Sequence, residues 1–244
     1  MHIVLDGVTK QYGSNVILKD VSLTFPGGQI IAVIGLNGAG KTTLLRCLSG
    51  VASPSRGRIL MDGERFYRDN LALRRRQMVL PDVPLFLPEH TGIEHVAMIL
   101  HLYERNAVEL EATAMALFAE LDLLALVDRP IVTLSRGQAY KIGLAAMLLV
   151  NPDLWLIDEP FASGMDPQGI AVFKRHARAA AAAGATVVYS TQILEIAERF
   201  ADRLIAIDHG GIRLDLGPQD LAGMPFEGPG SLADRLGEFR EISE

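Results

Sequence analysis

The sequence predicts an α/β protein with a mainly parallel sheet, an N-terminal antiparallel β region and an inserted helical region. Short apolar, β-branched runs alternate with helical patterns, as in sheets that helices cover on both faces. The first 25 residues have the pattern of antiparallel strands, whereas residues 91–150 have helical periodicity and almost no strand signal. We therefore expect one domain over residues 1–244, with a helical subdomain over roughly 89–150 and a short tail over 218–244.

The individual elements follow from local patterns, taken in chain order. Apolar runs rich in β-branched residues predict strands over residues 16–25, 29–34, 57–61, 78–80, 154–157, 186–189 and 204–207. Apolar periodicity predicts helices over residues 41–49, 91–103, 107–121, 135–149, 167–183 and 193–200. Ser135 is suited to cap the predicted helix over residues 135–149. Gly184 follows an alanine run, and this pattern indicates the end of the helix over residues 167–183.

Composition is that of an ordinary globular protein. Hydrophobic residues make up 49% of the chain and charged residues 21%, which excludes a disordered or collagen-like chain. The single cysteine, Cys47, excludes a disulfide framework and a cysteine-based metal site.

The net charge of −6 leads us to expect no nucleic-acid partner. We also expect neither a signal peptide nor a membrane span, because no apolar run has the required length or flanks.

A glycine-rich loop after the strand 29–34 carries the strongest chemical signal. Residues 35–43 read GLNGAGKTT, which matches G-x-x-x-x-G-K-[ST] between a strand and a helix. Glycines let consecutive backbone N–H groups face a phosphate, and the next helix N-terminus adds partial positive charge. Lys41 is expected to reach the β- and γ-phosphates, and Thr42 to offer its hydroxyl to Mg²⁺. An ordinary glycine-rich turn is the alternative. The predicted phosphate-binding residues are Gly35, Asn37, Gly38, Ala39, Gly40, Lys41, Thr42 and Thr43.

Two carboxylates follow the apolar strand 154–157. Asp158, at the end of that strand, would face the phosphate loop and hold Mg²⁺ directly or through water. Glu159 is suited to polarise an attacking water as a general base. A strand followed by a solvated acidic turn is the alternative, but the phosphate loop upstream favours the second half of an ATP site.

The segment LSRGQ at residues 134–138 makes the chain resemble a known family. It is similar to the LSGGQ signature in the nucleotide-binding domain of ATP-binding cassette (ABC) transporters, with one substitution. The interval from Ser135 to Asp158 is also usual in that family. The phosphate loop alone indicates only a P-loop NTPase. The signature, its spacing and the helical insertion narrow the resemblance to the ABC family, from Val4 to about Gly217.

The resemblance implies roles for further residues. Tyr12 matches the aromatic residue that stacks on adenine, with an ordinary sheet aromatic as the alternative. Ser135, Gly137 and Gln138 match signature residues that bind the γ-phosphate held by the other subunit. ATP then joins two subunits and hydrolysis releases them. Asp166 matches the aspartate of the D-loop, which links the two ATP sites.

Besides the substitution in the signature, two positions and the length of one loop depart from the family pattern. Asp82 stands where the Q-loop has glutamine, and a carboxylate there can contact Mg²⁺ or water. Gln192 stands where the switch loop has histidine, so it can donate a hydrogen bond to the γ-phosphate but carries no charge. The D-loop, from Glu159 to Asp166, is one residue longer than the common pattern. These departures bear on the rate of hydrolysis rather than on nucleotide binding.

The resemblance implies an ATP-hydrolysing subunit that lies peripherally on the cytoplasmic side of a membrane. Its partners would be transmembrane permease subunits and a second ABC ATPase subunit, in a homodimer or a heterodimer. The groove from Asp82 to about Glu94 is expected to receive a coupling helix from the permease, and the loose Q-loop pattern favours export. Two alternatives stay open: a slow-turnover regulatory subunit, which Asp82 and Gln192 favour, and a non-transport ABC-family ATPase that acts on ribosomes or DNA.

Overall fold

The computed structural model describes residues 1–84, 86–87, 89–225, 228, 230–232, 234 and 237. The strands are β1 (Ile3–Tyr12), β2 (Asn15–Phe25), β3 (Ile30–Ile34), β4 (Arg56–Met61), β5 (Glu64–Arg65), β6 (Gln77–Leu80), β7 (Leu154–Ile157), β8 (Thr186–Thr191), β9 (Arg203–Asp208) and β10 (Gly211–Leu216). The helices are α1 (Lys41–Leu48), α2 (Leu71–Arg74), α3 (Gly92–Leu102), α4 (Ala107–Glu120), α5 (Arg136–Val150), α6 (Pro167–Ala182), α7 (Leu194–Phe200) and α8 (Pro218–Ala222).

A six-stranded sheet forms the centre of the fold, in the order β10-β9-β3-β8-β7-β6. Its strands run parallel except β10, which pairs antiparallel with β9. The carboxyl ends of β3, β6, β7 and β8 therefore meet at one edge of the sheet. Crevices at such edges are the usual ligand sites of open α/β sheets. This edge brings together the loops that carry most of the predicted site residues.

A second, antiparallel sheet has the order β2-β1-β4-β5. The β1–β2 ladder contains three register irregularities, and it ends where Tyr12 pairs with Asn15. This confirms the antiparallel structure predicted for the first 25 residues. The sheet also places Tyr12 at the tip of a hairpin.

Two hydrophobic cores pack on opposite faces of the parallel sheet. Along β3, Ile30, Ala32 and Ile34 belong to one core, whereas Ile31 and Val33 belong to the other. All five residues are buried. The first core includes side chains of α3 to α7, and the second includes those of α1 and the antiparallel sheet. Burial on both faces explains why the central strands are continuously apolar rather than alternating.

The helices α3, α4 and α5 form the helical region. Capping boxes start α3 at Thr91 and α5 at Ser135, so the predicted cap at Ser135 is confirmed. The exact limits of a helical subdomain over 89–150, and the single domain over 1–244, stay predictions. The predicted tail over 218–244 begins with α8, and much of it beyond residue 225 lies outside the described residues. Within the described ranges, no helix combines the length and the apolar character that crossing a membrane requires.

Some elements were not predicted, and most predicted ends shift by one or two residues. The strand β10 was missed because its exposed positions carry Arg213 and Asp215, so it lacks a continuous apolar run. The helix α2 is a single turn that Asn70 caps, which is too short for periodicity to reveal.

Cys47 allows a direct test of the second core. Its side chain is buried on α1, and burial raises the pKa of the thiol to about 11. We expect the thiol to stay protonated at neutral pH and to react with an aromatic disulfide reagent at least about 100-fold more slowly than a free cysteine. Absorbance at pH 7.5, in native buffer and in guanidinium chloride, measures both rates. Rapid labelling of the native chain would contradict this packing.

Candidate functional site

A cavity of about 750 Å³ opens at the edge where the parallel strands end. Residues from the loops after β3, β6, β7 and β8 line it, together with Tyr12 from the hairpin tip. The predicted site residues in its wall are Tyr12, Asn37, Gly38, Gly40, Lys41, Thr42, Thr43, Asp82, Asp158, Glu159 and Gln192. The fold thus brings most of the predicted residues to one place, although they are up to 180 positions apart, from Tyr12 to Gln192.

Two residues of the predicted phosphate loop lie behind the cavity wall. A Cβ atom at Gly35 would come within 2.3 Å of the carbonyl oxygen of Ile207, so no larger residue fits. Ala39 is buried, and its carbonyl accepts a hydrogen bond from the Gly210 N–H at 3.0 Å. Both residues therefore pack the phosphate loop against the β9–β10 hairpin and do not face the cavity.

Lys41 is a buried cation at the first turn of α1, with only 6% of its surface exposed. Its Nζ donates to the carbonyl oxygens of Gly35 at 2.9 Å and Leu36 at 3.3 Å. The same atom lies 3.3 Å from Oε1 of Glu159. A buried charge needs compensation, and the Glu159 carboxylate and the two carbonyl oxygens supply it here.

Asp158 and Thr42 supply adjacent oxygen atoms beside Lys41. The Thr42 hydroxyl donates to Oδ2 of Asp158 at 2.8 Å, and the Ser190 hydroxyl donates to Oδ1. Such hard oxygen ligands suit Mg²⁺, which usually takes one or two from the protein and others from phosphates and water. Among the described residues, no group of three or more histidine, cysteine or acidic side chains forms a complete metal cage. The donor set therefore fits Mg²⁺ held jointly with a phosphate ligand.

Glu159 follows Asp158, and one of its carboxylate oxygens has no hydrogen-bond partner among the described residues. Its Oε1 faces Lys41, whereas its Oε2 is buried without a hydrogen-bond partner among the described residues. Its backbone has a φ of 49°, and the Ser190 hydroxyl accepts a hydrogen bond from its N–H at 3.0 Å. Strained backbone and an unpaired buried oxygen are typical of functional positions. Ser190 was not predicted as a site residue, although it lies two positions before Gln192.

Gln192 lies between the phosphate loop and Glu159. Its Nε2 donates to Oδ1 of Asn37 at 2.9 Å and lies 3.5 Å from Oε1 of Glu159. A neutral amide therefore stands where the family has histidine.

Tyr12 is the aromatic side chain in the cavity wall. Its ring is 46% exposed, and Nζ of Lys10 lies 4.7 Å from the ring centroid. An exposed ring at a cavity mouth suits stacking on a nucleobase, whereas a packing role would bury it.

Asp82 contacts neither Thr42 nor Asp158 in the described contacts. Its carboxylate instead forms an ion pair with Arg136, the first residue of α5, which also lines the cavity. Arg136 was not predicted as a site residue. The sequence did contain a signal for this pair. Position 136 has arginine where the signature has glycine, and position 82 has aspartate where the Q-loop has glutamine, so two opposite charges replace two uncharged residues.

Ser135, Gly137 and Gln138 do not line the cavity. Ser135 and Gln138 cap α5 reciprocally, since Oγ of Ser135 accepts from the Gln138 N–H and Oε1 of Gln138 accepts from the Ser135 N–H. A Cβ atom at Gly137 would come within 2.0 Å of the Gly164 carbonyl oxygen. The signature segment therefore packs directly on the D-loop.

The buried Lys141 strengthens this contact between the signature helix and the D-loop. Its Nζ donates to Oδ2 of Asp166 at 2.6 Å and to the Leu121 carbonyl oxygen at 2.8 Å. Asp166 also caps α6. Desolvation alone would raise the pKa of Asp166, but the hydrogen bonds from Lys141 and the Gly169 N–H bring it below its ordinary value. Lys141 was not predicted, although a lysine inside the apolar pattern of α5 requires a buried partner.

Comparison with known proteins agrees with this geometry. The family model for ABC transporters matches residues 18–162. The chain is 33% identical over 206 residues to the ABC-type transporter ATP-binding protein EcsA of Bacillus subtilis, covering 84% of this chain and 83% of that protein. It is 34% identical over 227 residues to the L-cystine import ATP-binding protein TcyC of the same organism, covering 89% and 91%.

Solved structures show the same fold. The ATP-binding subunit of an ABC transporter is 28% identical, with a TM-score of 0.88 over 98% of this chain and 100% of that one. A dimeric bacterial ABC transporter cassette is 25% identical, with a TM-score of 0.80 over 88% and 98%. The chain therefore belongs to the ABC transporter family and has the P-loop fold of its ATP-binding cassettes.

Proposed function

We propose that this chain binds ATP with Mg²⁺ in the cavity and hydrolyses it to ADP and phosphate to energise a membrane transporter. One observation carries the proposal: the cavity joins a buried lysine, a hydroxyl–carboxylate pair and a second carboxylate with an unpaired oxygen. Membership of the ABC family supports ATPase activity in general.

Each group has a definite task in this proposal. Lys41 binds the β- and γ-phosphates, and Tyr12 stacks on the adenine. Thr42 and Asp158 hold Mg²⁺, which offsets phosphate charge when bound, whereas the Asp82 carboxylate pairs with Arg136 and is not counted among the ligands. Glu159 accepts a proton from the attacking water through its unpaired Oε2. Gln192 donates its amide N–H to a γ-phosphate oxygen.

The partners proposed are transmembrane permease subunits and a second ABC ATPase subunit, with the chain bound peripherally at the cytoplasmic face of the membrane. Ser135, Gly137 and Gln138 of the signature segment lie outside the cavity of their own chain, which suits contact with a nucleotide held by another subunit. Near Asp82, the side chains of Val83 and Leu87 are exposed, as a docking groove requires. Leu85 and Pro88, also in this predicted groove, lie outside the described residues.

A steady-state ATPase assay tests the proposal. The chain is purified alone and together with the permease subunit that co-purifies with it, and phosphate release is measured at saturating Mg-ATP. We expect turnover that the permease subunit stimulates. Tight ATP binding with no turnover in either sample would instead favour the regulatory alternative, which the neutral Gln192 supports.

Export is the proposed direction of transport. Relatives include the Nod factor export ATP-binding protein I of Bradyrhizobium diazoefficiens as well as the L-cystine importer, so similarity supports both directions. The departure at Asp82 is the feature that favours export. Inside-out vesicles that contain the complete transporter should accumulate the substrate when Mg-ATP is added outside, and accumulation only in right-side-out vesicles loaded with ATP would reverse the assignment.

Replacing Gln192 with histidine should raise basal hydrolysis about tenfold, which corresponds to roughly 1.4 kcal/mol on the barrier. Hydrogen bonds from a charged donor are about twice as strong as those from a neutral one, and an imidazole has a reference pKa of about 6.5. The rate of the variant should therefore rise, relative to wild type, as pH falls from about 8 to about 6. The measurement is kcat against pH for both proteins.

Gln192→Asn is the matched control, because it keeps the neutral amide but shortens the side chain. It should give no new pH dependence. If Gln192→His lowers kcat or leaves the pH profile unchanged, then the site has adapted around glutamine and the γ-phosphate contact comes from another group.

A further inference from the structure

The two charged departures from the family pattern contact each other. Asp82 follows β6 and Arg136 begins α5, and 54 positions separate them in the sequence. Their side chains form an ion pair within the wall of the nucleotide cavity. Each substitution alone places an unbalanced charge in the cavity wall, whereas together they place none.

The charges that line the described cavity are balanced when both members of this pair are present, and removal of Arg136 alone leaves one carboxylate in excess. Its cationic side chains are Lys41, Arg46 and Arg136, and its carboxylates are Asp82, Asp158 and Glu159. Without Arg136, three carboxylates face two cations. A triphosphate is strongly anionic, so an uncompensated carboxylate near its binding place would repel it.

The helix that carries Arg136 packs against the segment that carries Asp82. A Cβ atom at Gly143 of α5 would come within 2.7 Å of Cδ1 of Leu80 and 3.6 Å of Pro84, which flank Asp82. The helix and the residues on either side of Asp82 therefore lie in close contact, about two helical turns along α5 from Arg136. Such an arrangement lets Arg136 determine where the Asp82 carboxylate lies.

We propose that Arg136 is a positioning residue that neutralises Asp82 and holds its carboxylate at the cavity wall, so that the site accepts Mg-ATP. This inference deepens the proposed function and rests on it. Arg136 acts on the nucleotide through Asp82, without a contact to phosphate. The signature segment is thereby tied electrostatically to the nucleotide site of its own subunit.

The proposal predicts a specific pattern of coupling between substitutions. Arg136→Ala should weaken equilibrium Mg-ATP binding by the purified chain about fivefold at low salt, which is about 1 kcal/mol. Asp82→Asn should bind as well as wild type or better. The double variant should return to within about twofold of wild type, because the charge that Arg136 compensates is then gone. Arg136→Lys should preserve most of the affinity.

The solvent exposure of the Arg136–Asp82 pair limits the expected loss of Mg-ATP affinity. An ion pair of similar exposure outside the cavity provides the control. Arg136 is 55% exposed and Asp82 39%, so the pair is partly screened by solvent. The pair of Arg175 with Glu120 has nearly the same exposure, 56% and 36%, but does not line the cavity. Arg175→Ala should therefore leave Mg-ATP affinity unchanged. The loss in Arg136→Ala should shrink as sodium chloride rises from about 0.05 M to about 0.5 M.

Titration with a fluorescent ATP analogue in the presence of Mg²⁺ measures each dissociation constant, and circular dichroism checks folding. If Arg136→Ala is misfolded, Arg136→Gln provides the same comparison with a longer neutral side chain. Unchanged affinity in the folded arginine variant would overturn the proposal. Equal weakening in the single and double variants would also overturn it, since Arg136 would then contact the nucleotide directly. Absence of binding by wild type would instead refute the proposed function itself.

Discussion

Replacing Lys41 with alanine should reduce Mg-ATP binding by at least about 100-fold and abolish measurable turnover. Hydrogen bonds to charged groups contribute roughly 1.5–3 kcal/mol each, and this ammonium group is expected to bind two phosphates. In the structure, Nζ of Lys41 also lies 3.3 Å from Glu159, so its loss leaves that carboxylate facing the triphosphate without a cation. Equilibrium titration with a fluorescent ATP analogue gives the affinity.

Thermal unfolding provides a second measurement for the same variant. A ligand that binds only the folded state raises the Tm, so Mg-ATP should stabilise wild type but not Lys41→Ala. Lys174→Ala is the matched control, because Lys174 lies on α6 and does not line the cavity. An affinity for Mg-ATP within a few-fold of wild type in Lys41→Ala would refute the assignment of the phosphate loop.

Replacing Glu159 with glutamine should leave Mg-ATP binding intact and lower kcat at least about 100-fold. The amide retains the shape of the side chain but cannot accept the proton of the attacking water, and general bases contribute roughly 10²–10⁴ to rates. Because Oε2 of Glu159 has no hydrogen-bond partner among the described residues, the change breaks no bond to that atom. The measurements are phosphate release and nucleotide affinity.

The same variant should trap an ATP-bound dimer, since hydrolysis is the step that is proposed to separate the subunits. Size-exclusion chromatography with Mg-ATP should show a dimer, or a complex with a partner cassette, that ADP does not support. Glu120→Gln removes a carboxylate outside the cavity and should keep normal turnover. Retained hydrolysis in Glu159→Gln would identify another group as the base.

The fold was predictable where burial is complete on both faces of the sheet. The strand β3 consists of five buried apolar residues, and the adjacent loop carries a motif that requires a strand before it and a helix after it. The parallel order of the strands then explains why Asp82, Asp158 and Gln192 share one cavity. By contrast, β10 has one exposed face, and its alternating charged residues resemble a loop in the sequence.

The contacts between loops were not predictable in the same way. The pairs Arg136–Asp82 and Lys141–Asp166 depend on how α5 packs against the loops after β6 and β7. Periodicity describes one element at a time and carries no information about such packing. For Lys141 the sequence did contain a usable indication, because a lysine among apolar residues requires a buried acceptor.

The close packing of Gly137 on Gly164 affects the entropy of subunit association. Two loops that move independently would each lose conformational freedom when a partner orders them, at a cost of about 0.5–1.5 kcal/mol for each immobilised side chain. Here the backbones already touch, and Lys141 joins Asp166 to α5. In the proposed dimer, the signature segment and the D-loop therefore dock as one preorganised surface. Much of the conformational entropy that these two segments must lose is already lost when the subunit folds, and not when the subunits associate.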